Sequence, residues 1–350
     1  VVVEEAADEE EILAIAARLV DALAAPHHVN GMEVTSTASA GVVLLAPRHE
    51  TPDQLLRDAD VAMYEAKRLG RNRVVLFDDA MSQSVVERHL IENDLLRGIE
   101  HGEFQLRYQP LVSLTDARLV GFEALVRWHH PTMGMVMPDV FIAVAEETGL
   151  ILPLGEWILD EALRVTRAWD EQQDLGDLRM SVNLSRRQLA DPGCADAIRA
   201  ALARHGLPGG RLQLEVTESA VVDDRQDMVR TLDSIRDLGV TVAMDDFGTG
   251  MSSLASLREI PLDVLKIDKA FVQRMEENRD DAAVTAAIVT LAHNLRLSVV
   301  AEGVETPAQR AQLGAMGCER GQGYLFAPPL VHDEACRWVA AGGQPMRLSA

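Results

Sequence analysis

VTVAMDDFGTG, residues 240–250, is the segment from which the rest of the chain can be read. Val240, Val242 and Met244 alternate with Thr241 and Ala243, the period of a short buried strand. The strand ends in two adjacent carboxylates, Asp245 and Asp246, followed by Phe247 and a Gly248-Thr249-Gly250 turn. Like charges on neighbouring residues repel unless something positive sits between them, and a divalent cation commonly does. Taken alone, the segment reads as a solvated Asp-Asp turn with glycine supplying positive φ. The case for a metal therefore rests on what other strands carry.

From residue 104 onward short strands alternate with helical stretches. Strands are expected over 104–111, 120–128, 179–184, 212–216, 240–245, 262–267, 298–301 and 323–326. Helices are expected over 141–147, 155–169, 228–238 and 282–295. Eight strands in about 245 residues approach the size of a β/α barrel, ~250 residues. A doubly wound open sheet is the alternative, but no GxGxxG follows an early strand.

Polar residues recur at the expected strand ends. Glu123 lies in FEALVRW, Asn183 in MSVNLS and Glu215 in LQLEVTES. Lys266 and Asp268 lie in LKID, Glu302 in VVAEGVE and Gln322 in GQGYLF. Alternation puts Gln213, Glu215 and Thr217 on one face, and Ser181, Asn183 and Ser185 on one face. Each residue alone has a structural explanation: a helix cap, a turn, a local ion pair. Recurring together at the ends of barrel strands, they fall where active sites of such barrels lie. Oxygen donors without a Cys/His cluster favour Mg²⁺ or Mn²⁺ over zinc or copper. Several carboxylates suit two ions, and paired ions suit in-line attack on a phosphodiester. The histidines have no ligand spacing, and His129-His130 reads as loop packing; no GxSxG elbow is present.

Composition limits the partners. The 350 residues are 47% hydrophobic, ample for buried cores, and carry a net charge of −22, which repels a nucleic-acid duplex. Cys194, Cys318 and Cys336 form no CxxC, which fits a reducing, cytoplasmic setting. No apolar run reaches the length of a membrane span. The chain starts Val-Val-Val without Met, which reads as a fragment whose parent could carry an upstream sensor or membrane anchor.

Residues 1–78 form a first block. An acidic run leads into an amphipathic helix with Ile12, Ile15, Leu19 and Leu23 on one face. Strand-like sequence over 33–45, a helix over 52–69 ending at Gly70 and a strand over 74–77 follow. This is too little for a full α/β domain. Residues 79–103 read as a proline-free, stiff linker helix with Val86, Leu90, Leu95 and Ile99 near helical spacing.

The motifs of the second block, over 104–348, resemble those of EAL-domain cyclic di-GMP phosphodiesterases. Glu123-Ala124-Leu125 stands as the naming motif. AEETGLI at 145–151, NLS at 183–185, EVTES at 215–219, DDFGTG at 245–250, LKID at 265–268, AEGVE at 301–305 and QGYLF at 322–326 follow in order. The resemblance implies an α/β fold, a modified (β/α)8 TIM-like barrel whose first strand is antiparallel to the rest. It implies metal ligation by Glu123, Asn183, Glu215, Asp245 and Asp246, with Glu302 nearby as ligand or general base. It further implies that Lys266 holds the attacking water, and that the product is linear 5′-pGpG. Arg127 would contact the dinucleotide, Asp268 and Gln322 would support it, and Glu218 would anchor the 248–253 loop. A homodimer through the barrel is also implied. Departures are Met251, where an aromatic is common, and Glu319, where Asp often precedes QGY. A non-catalytic cyclic di-GMP receptor and a protein-interaction scaffold are the alternatives, but no catalytic position is lost.

The first block resembles the back half of a GGDEF diguanylate cyclase domain. Residues 38–42 (ASAGV), 58–67 (DADVAMYEAK) and 70–72 (GRN) carry the likeness. Lys67 and Arg71 resemble phosphate-contacting positions. Without the signature loop no cyclase activity is expected.

Overall fold

The computed structural model describes residues 1–3, 8–25, 27–29, 32–34, 36–173, 178–221, 225–248 and 257–340. Contacts divide the chain into Val1–Asn93 and Asp94–Ala350. In the first unit β1 (His27–Val29) pairs antiparallel with β2 (Met32–Val34), and β3 (Ala40–Val42) pairs parallel with β4 (Val74–Leu76). The sequence 33–45 is thus two short strands, not one. Helix Glu9–Ala24 starts at Asp8, whose side chain accepts from Glu11 N at 2.9 Å. Of the expected face Ile12 and Ile15 are half-buried while Leu19 and Leu23 are exposed; Val20 is the buried side chain of this helix, with Leu13, Ala16 and Ala24 half-buried. Helix Pro52–Arg68 lies close on β3, because a Cβ at Gly41 would fall 2.1 Å from the Ala59 carbonyl. The small residue in ASAGV is what lets helix and strand meet.

In the second unit nine strands form one sheet: β5 (Phe104–Ser113), β6 (Leu119–His130), β7 (Gly134–Val136), β8 (Arg179–Asn183), β9 (Leu212–Thr217), β10 (Thr241–Phe247), β11 (Val264–Ile267), β12 (Ser298–Ala301) and β13 (Arg320–Gly321). The order is β5-β13-β12-β11-β10-β9-β8-β6-β7, and pairing of β5 with β6 closes the ring. β5 runs antiparallel to both neighbours, and the pairs from β6 through β8 round to β13 are parallel. This is the closed eight-strand barrel, with β7 extending β6 as a hairpin.

Strand alternation sorts the side chains as the pattern LQLEVT requires. Leu212, Leu214 and Val216 are buried on one face of β9, and Gln213 and Glu215 on the other. Aromatic rings fill the outer layer: Phe122 packs 4.9 Å from Trp169, and Tyr108 meets Trp169 edge-on at 5.3 Å. Trp128 stacks on Phe104 at 5.1 Å and donates from Nε1 to Glu103 at 2.9 Å. His130 is buried and packs the loop: Nε2 meets Asp94 at 3.0 Å, and Nδ1 accepts from the backbone of Thr132 and Met133. Among the described residues no helix is long and apolar enough to cross a membrane, and the three cysteines are free thiols.

The eighth strand lies at Arg320–Gly321, not at 323–326. There Phe326 N bonds back to Gly323 O at 3.1 Å, a turn that cannot join the ladder. The shift sets Gln322 at the strand's end, with its N–H on Ala301 O at 2.9 Å. Gly323 makes the turn possible: a Cβ there would lie 2.2 Å from the Val304 carbonyl. Gly323→Ala is expected to cost about 1–3 kcal/mol, read as a lowered urea midpoint.

Candidate active site

Lys266 is the centre of the barrel mouth. It rises from β11 and is only 1% exposed, so its ammonium must find partners inside the protein. Asp245 Oδ1 lies 3.0 Å from Nζ, Glu302 Oε1 2.5 Å and Glu123 Oε2 3.6 Å, and Glu215 Oε2 is in direct contact. Four strands supply these acids, on β6, β9, β10 and just past β12. Two amides tie the ring together. Gln322 Nε2 donates to Glu123 at 2.7 Å and to Glu302 at 3.1 Å, and Asn183 Nδ2 donates to Glu123 at 2.9 Å. Glu123 stands mid-strand in β6, at the end of the part that pairs with β8; beyond Ala124 the strand continues as the hairpin.

A bulge on β10 completes the cluster. Its register to β11 runs Ala243↔Val264 and Met244↔Leu265, then jumps to Phe247↔Ile267, so Asp245 and Asp246 together oppose Lys266. Asp246 takes φ +53, a left-handed conformation that aspartate tolerates better than most residues. Strict alternation would send consecutive side chains to opposite faces. With the bulge, one oxygen each of Asp245, Asp246 and Glu302 lie within 4.8 Å of one another. A cleft of about 610 Å³ opens beside them, with Asn183, Glu215, Glu146 and Arg186 in its wall.

The EAL domain family matches residues 92–329, and the diguanylate cyclase GGDEF domain family matches residues 1–73. The chain belongs to the EAL domain family. It is 39% identical over 336 residues to the bifunctional diguanylate cyclase/cyclic di-GMP phosphodiesterase MucR of Pseudomonas aeruginosa, covering 96% of this chain and 49% of the relative. It is 39% identical over 317 residues to the cyclic di-GMP phosphodiesterase NbdA of the same organism, covering 89% of this chain and 40% of that one. The chain thus spans about half or less of these relatives' length. The structure of the MucR phosphodiesterase in complex with cyclic di-GMP superposes with a TM-score of 0.67 at 42% identity, over 70% of this chain and 99% of that one.

The EAL site gathers Glu123, Asn183, Glu215, Asp245, Asp246, Lys266, Glu302 and Gln322 into one contact network. Asp268 lies beside it, where its Oδ1 caps helix Lys269–Arg274 through Ala270 N at 2.7 Å. Arg127 stands outside the network, half-buried on β6, with NH1 donating to the Val126 carbonyl at 2.8 Å. Glu218 Oε2 accepts from Gly248 N at 3.4 Å. The remainder of the loop it was expected to anchor, Met251 included, lies outside the described residues. One participant had not been singled out. Gln213 is fully buried beneath the acids, and its amide donates at 3.0 Å to both Glu215 Oε1 and Ser181 Oγ. Alternation put Gln213 on the inner face, but only the neighbouring strand shows what it holds. Gln213→Ala is expected to weaken divalent-ion affinity about 10–100-fold, read by calorimetric titration of Mn²⁺.

The crowding of acids raises their proton affinity. Burial, opposed by Lys266 and reinforced by the charges of Glu123 and Asp245, pushes Glu215 up to about 7. Burial, the charge of Asp245 and a hydrogen bond with Asp268 push Asp246 up to about 6. Burial likewise holds Glu302 well above the ordinary carboxylate range. Burial alone would pull the Lys266 ammonium down, but the surrounding carboxylates, Asp245 foremost, outweigh it and hold it well above its ordinary value. A carboxyl whose folded pKa is raised contributes stability below its unfolded pKa and loses it as pH climbs through the folded value. The metal-free protein is therefore expected to lose stability as pH rises through about 6 to 7 at these groups. A divalent cation relieves that repulsion, so the melting-temperature gain from Mn²⁺ should be larger at about pH 8 than at about pH 5.

Proposed function

We propose that residues 104–348 form a phosphodiesterase that hydrolyses cyclic di-GMP to linear 5′-pGpG with two Mg²⁺ or Mn²⁺ ions. The observation that carries the reading is the convergence of Glu123, Glu215, Asp245 and Glu302 on one buried lysine at the barrel mouth, with Asp246 beside Asp245 and Glu302. Oxygen donors alone, from acids crowded closely enough to hold protons near neutrality, fit hard divalent cations. Glu123, Asn183, Glu215, Asp245, Asp246 and Glu302 would hold them. Bound there, such ions supply Lewis acidity toward water and phosphoryl oxygens.

The chain's own residues do the remainder. Lys266, charged at neutral pH, orients the attacking water and offsets charge on the phosphoryl group. Glu302, in its ionised form, accepts that water's proton as its oxygen adds to phosphorus, the P–O3′ bond breaks in line and the leaving O3′ takes a proton from solvent. Gln322 keeps Glu123 and Glu302 apart at fixed spacing through its two donated bonds. Asp268 supports Asp246 from below, Arg127 contacts the dinucleotide, and Glu218 anchors the loop after Gly248. Residues 1–78 are the back part of a GGDEF domain, and 79–103 the helix that joins it to the barrel. The names of MucR and NbdA support cyclic di-GMP as substrate, and the MucR complex supports it as the bound ligand.

The test is incubation of the purified chain with cyclic di-GMP and Mg²⁺ or Mn²⁺, with and without EDTA, read by chromatography. Metal-dependent pGpG is expected; tight binding without product would overturn the reading in favour of a receptor. Glu123→Ala and Asp245→Asn should each lower turnover more than about 100-fold while circular dichroism shows an intact fold.

A further inference from the structure

Below the carboxylates the barrel interior is crossed by an apolar layer of Leu111, Ala243, Val264 and Val300, with Val120 against it. The inner-face alternation continues beneath this layer to the opposite end of the barrel. On β8, Ser181 points inward to the Gln213 amide, and Arg179 shares its face. Past β13, Gln322 points inward to Glu123, and Arg320 shares its face. Two guanidinium groups thus enter the barrel floor.

Neither touches an acid among the described residues. Among the described residues Arg179 and Arg320 make no side-chain hydrogen bond or ion pair. Glu319, next to Arg320 in the chain, is engaged elsewhere: Oε1 meets His293 Nε2 at 3.0 Å, and Oε2 accepts from Val299 N at 2.9 Å. Asp116 at the rim accepts from the Ser113 hydroxyl and the Arg118 backbone. Arg320 is half-buried, and burial together with the nearby charge of Arg179 holds it below the ordinary arginine value, against the opposing charge of Glu319. Acids are not scarce in a chain of net charge −22, and other arginines use them: Arg211 grips Asp170 with two bonds of 2.5 and 2.6 Å. Two like charges brought together at a barrel floor, with Glu319 bound elsewhere and no acid in contact with either among the described residues, leave a position for an external anion. A cavity of about 340 Å³ opens beside Arg320, lined also by Arg118, Thr115, Val120 and Glu319, with Arg179 outside its wall.

We propose that the N-terminal mouth of this barrel is a binding site for a phosphate-class oxyanion, held by Arg320 and Arg118, with the charge of Arg179 close enough to Arg320 to add to the attraction. The guanidinium fork matches phosphate oxygens two at a time. The cavity is at the low end of small-molecule pockets, which suits inorganic phosphate or a phosphorylated small molecule and not a cyclic dinucleotide. It lies at the other end of the barrel from the carboxylates, so the proposal stands whether or not the hydrolytic reading does.

The test uses the full chain in EDTA at low ionic strength, with inorganic phosphate, GMP, or KCl at matched ionic strength, read by thermal melting. A saturable rise with phosphate beyond that of KCl is expected, and its loss in Arg320→Gln and Arg179→Gln. Both variants should melt higher than the parent chain in anion-free buffer, since each removes a like-charge repulsion. A rise with phosphate alone identifies the free anion as the ligand, and a larger rise with GMP identifies a phosphorylated molecule. No rise beyond KCl, or an undiminished rise in both variants, overturns the proposal. Calorimetric titration of phosphate into Arg320→Lys, which keeps the charge and removes the fork, should show weakened affinity; equal affinity would also overturn it.

Discussion

The structure of the barrel mouth depends on one ammonium group among carboxylates that would otherwise repel one another. Lys266 touches acids from β6, β9, β10 and the residue after β12, and no two of these acids are close neighbours in the chain. Burial first, and then neighbouring acids that a single positive charge does not balance, make Glu215, Asp246 and Glu302 hold their protons to unusually high pH. An acid cluster under this strain favours any divalent cation that enters it. The stability forgone in assembling it is supplied by the barrel around it, whose strands are tied by backbone pairing and an aromatic outer layer.

Two departures from regular strand geometry turn that frame into a site. The bulge at Asp245–Asp246 aims two consecutive side chains at one place, at the expense of a left-handed aspartate. The turn at Gly323 stops the last strand after Gly321 and leaves Gln322 free to bond across to Glu123 and Glu302. The bulge sits where ordinary alternation would have put one of two neighbouring side chains on the wrong face. Beneath them, Gln213 and Ser181 fix the orientation of Glu215 from inside the barrel.

Much of this was legible in the chain. Period-2 alternation in LQLEVTES and SVNLS correctly sorted inner from outer faces, because a pleated strand leaves a side chain only two directions. The placement of the last strand was misread, since QGYLF looks strand-like and nothing local reveals that Gly323 closes a turn against Val304. The buried row of the first helix was misread for a similar reason: two stripes one residue apart are equally apolar, and only packing chooses Val20 over Leu19. Arg127 is expected at the ligand by its motif, and in the structure its guanidinium donates to the Val126 carbonyl.

The sequence by itself determined the class of fold, the set of inward-facing polar residues and the family, because these follow from spacing and residue type along the chain. Only the tertiary structure decided that Asp245 and Asp246 face the same way, that Lys266 is the common partner of acids from separate strands, and that Arg179 and Arg320 enter one floor with no acid in contact among the described residues. The reason is physical. Alternation and motif are local properties, whereas convergence of charges depends on strand order and stagger around a closed barrel, and those are set by contacts between residues far apart in the chain.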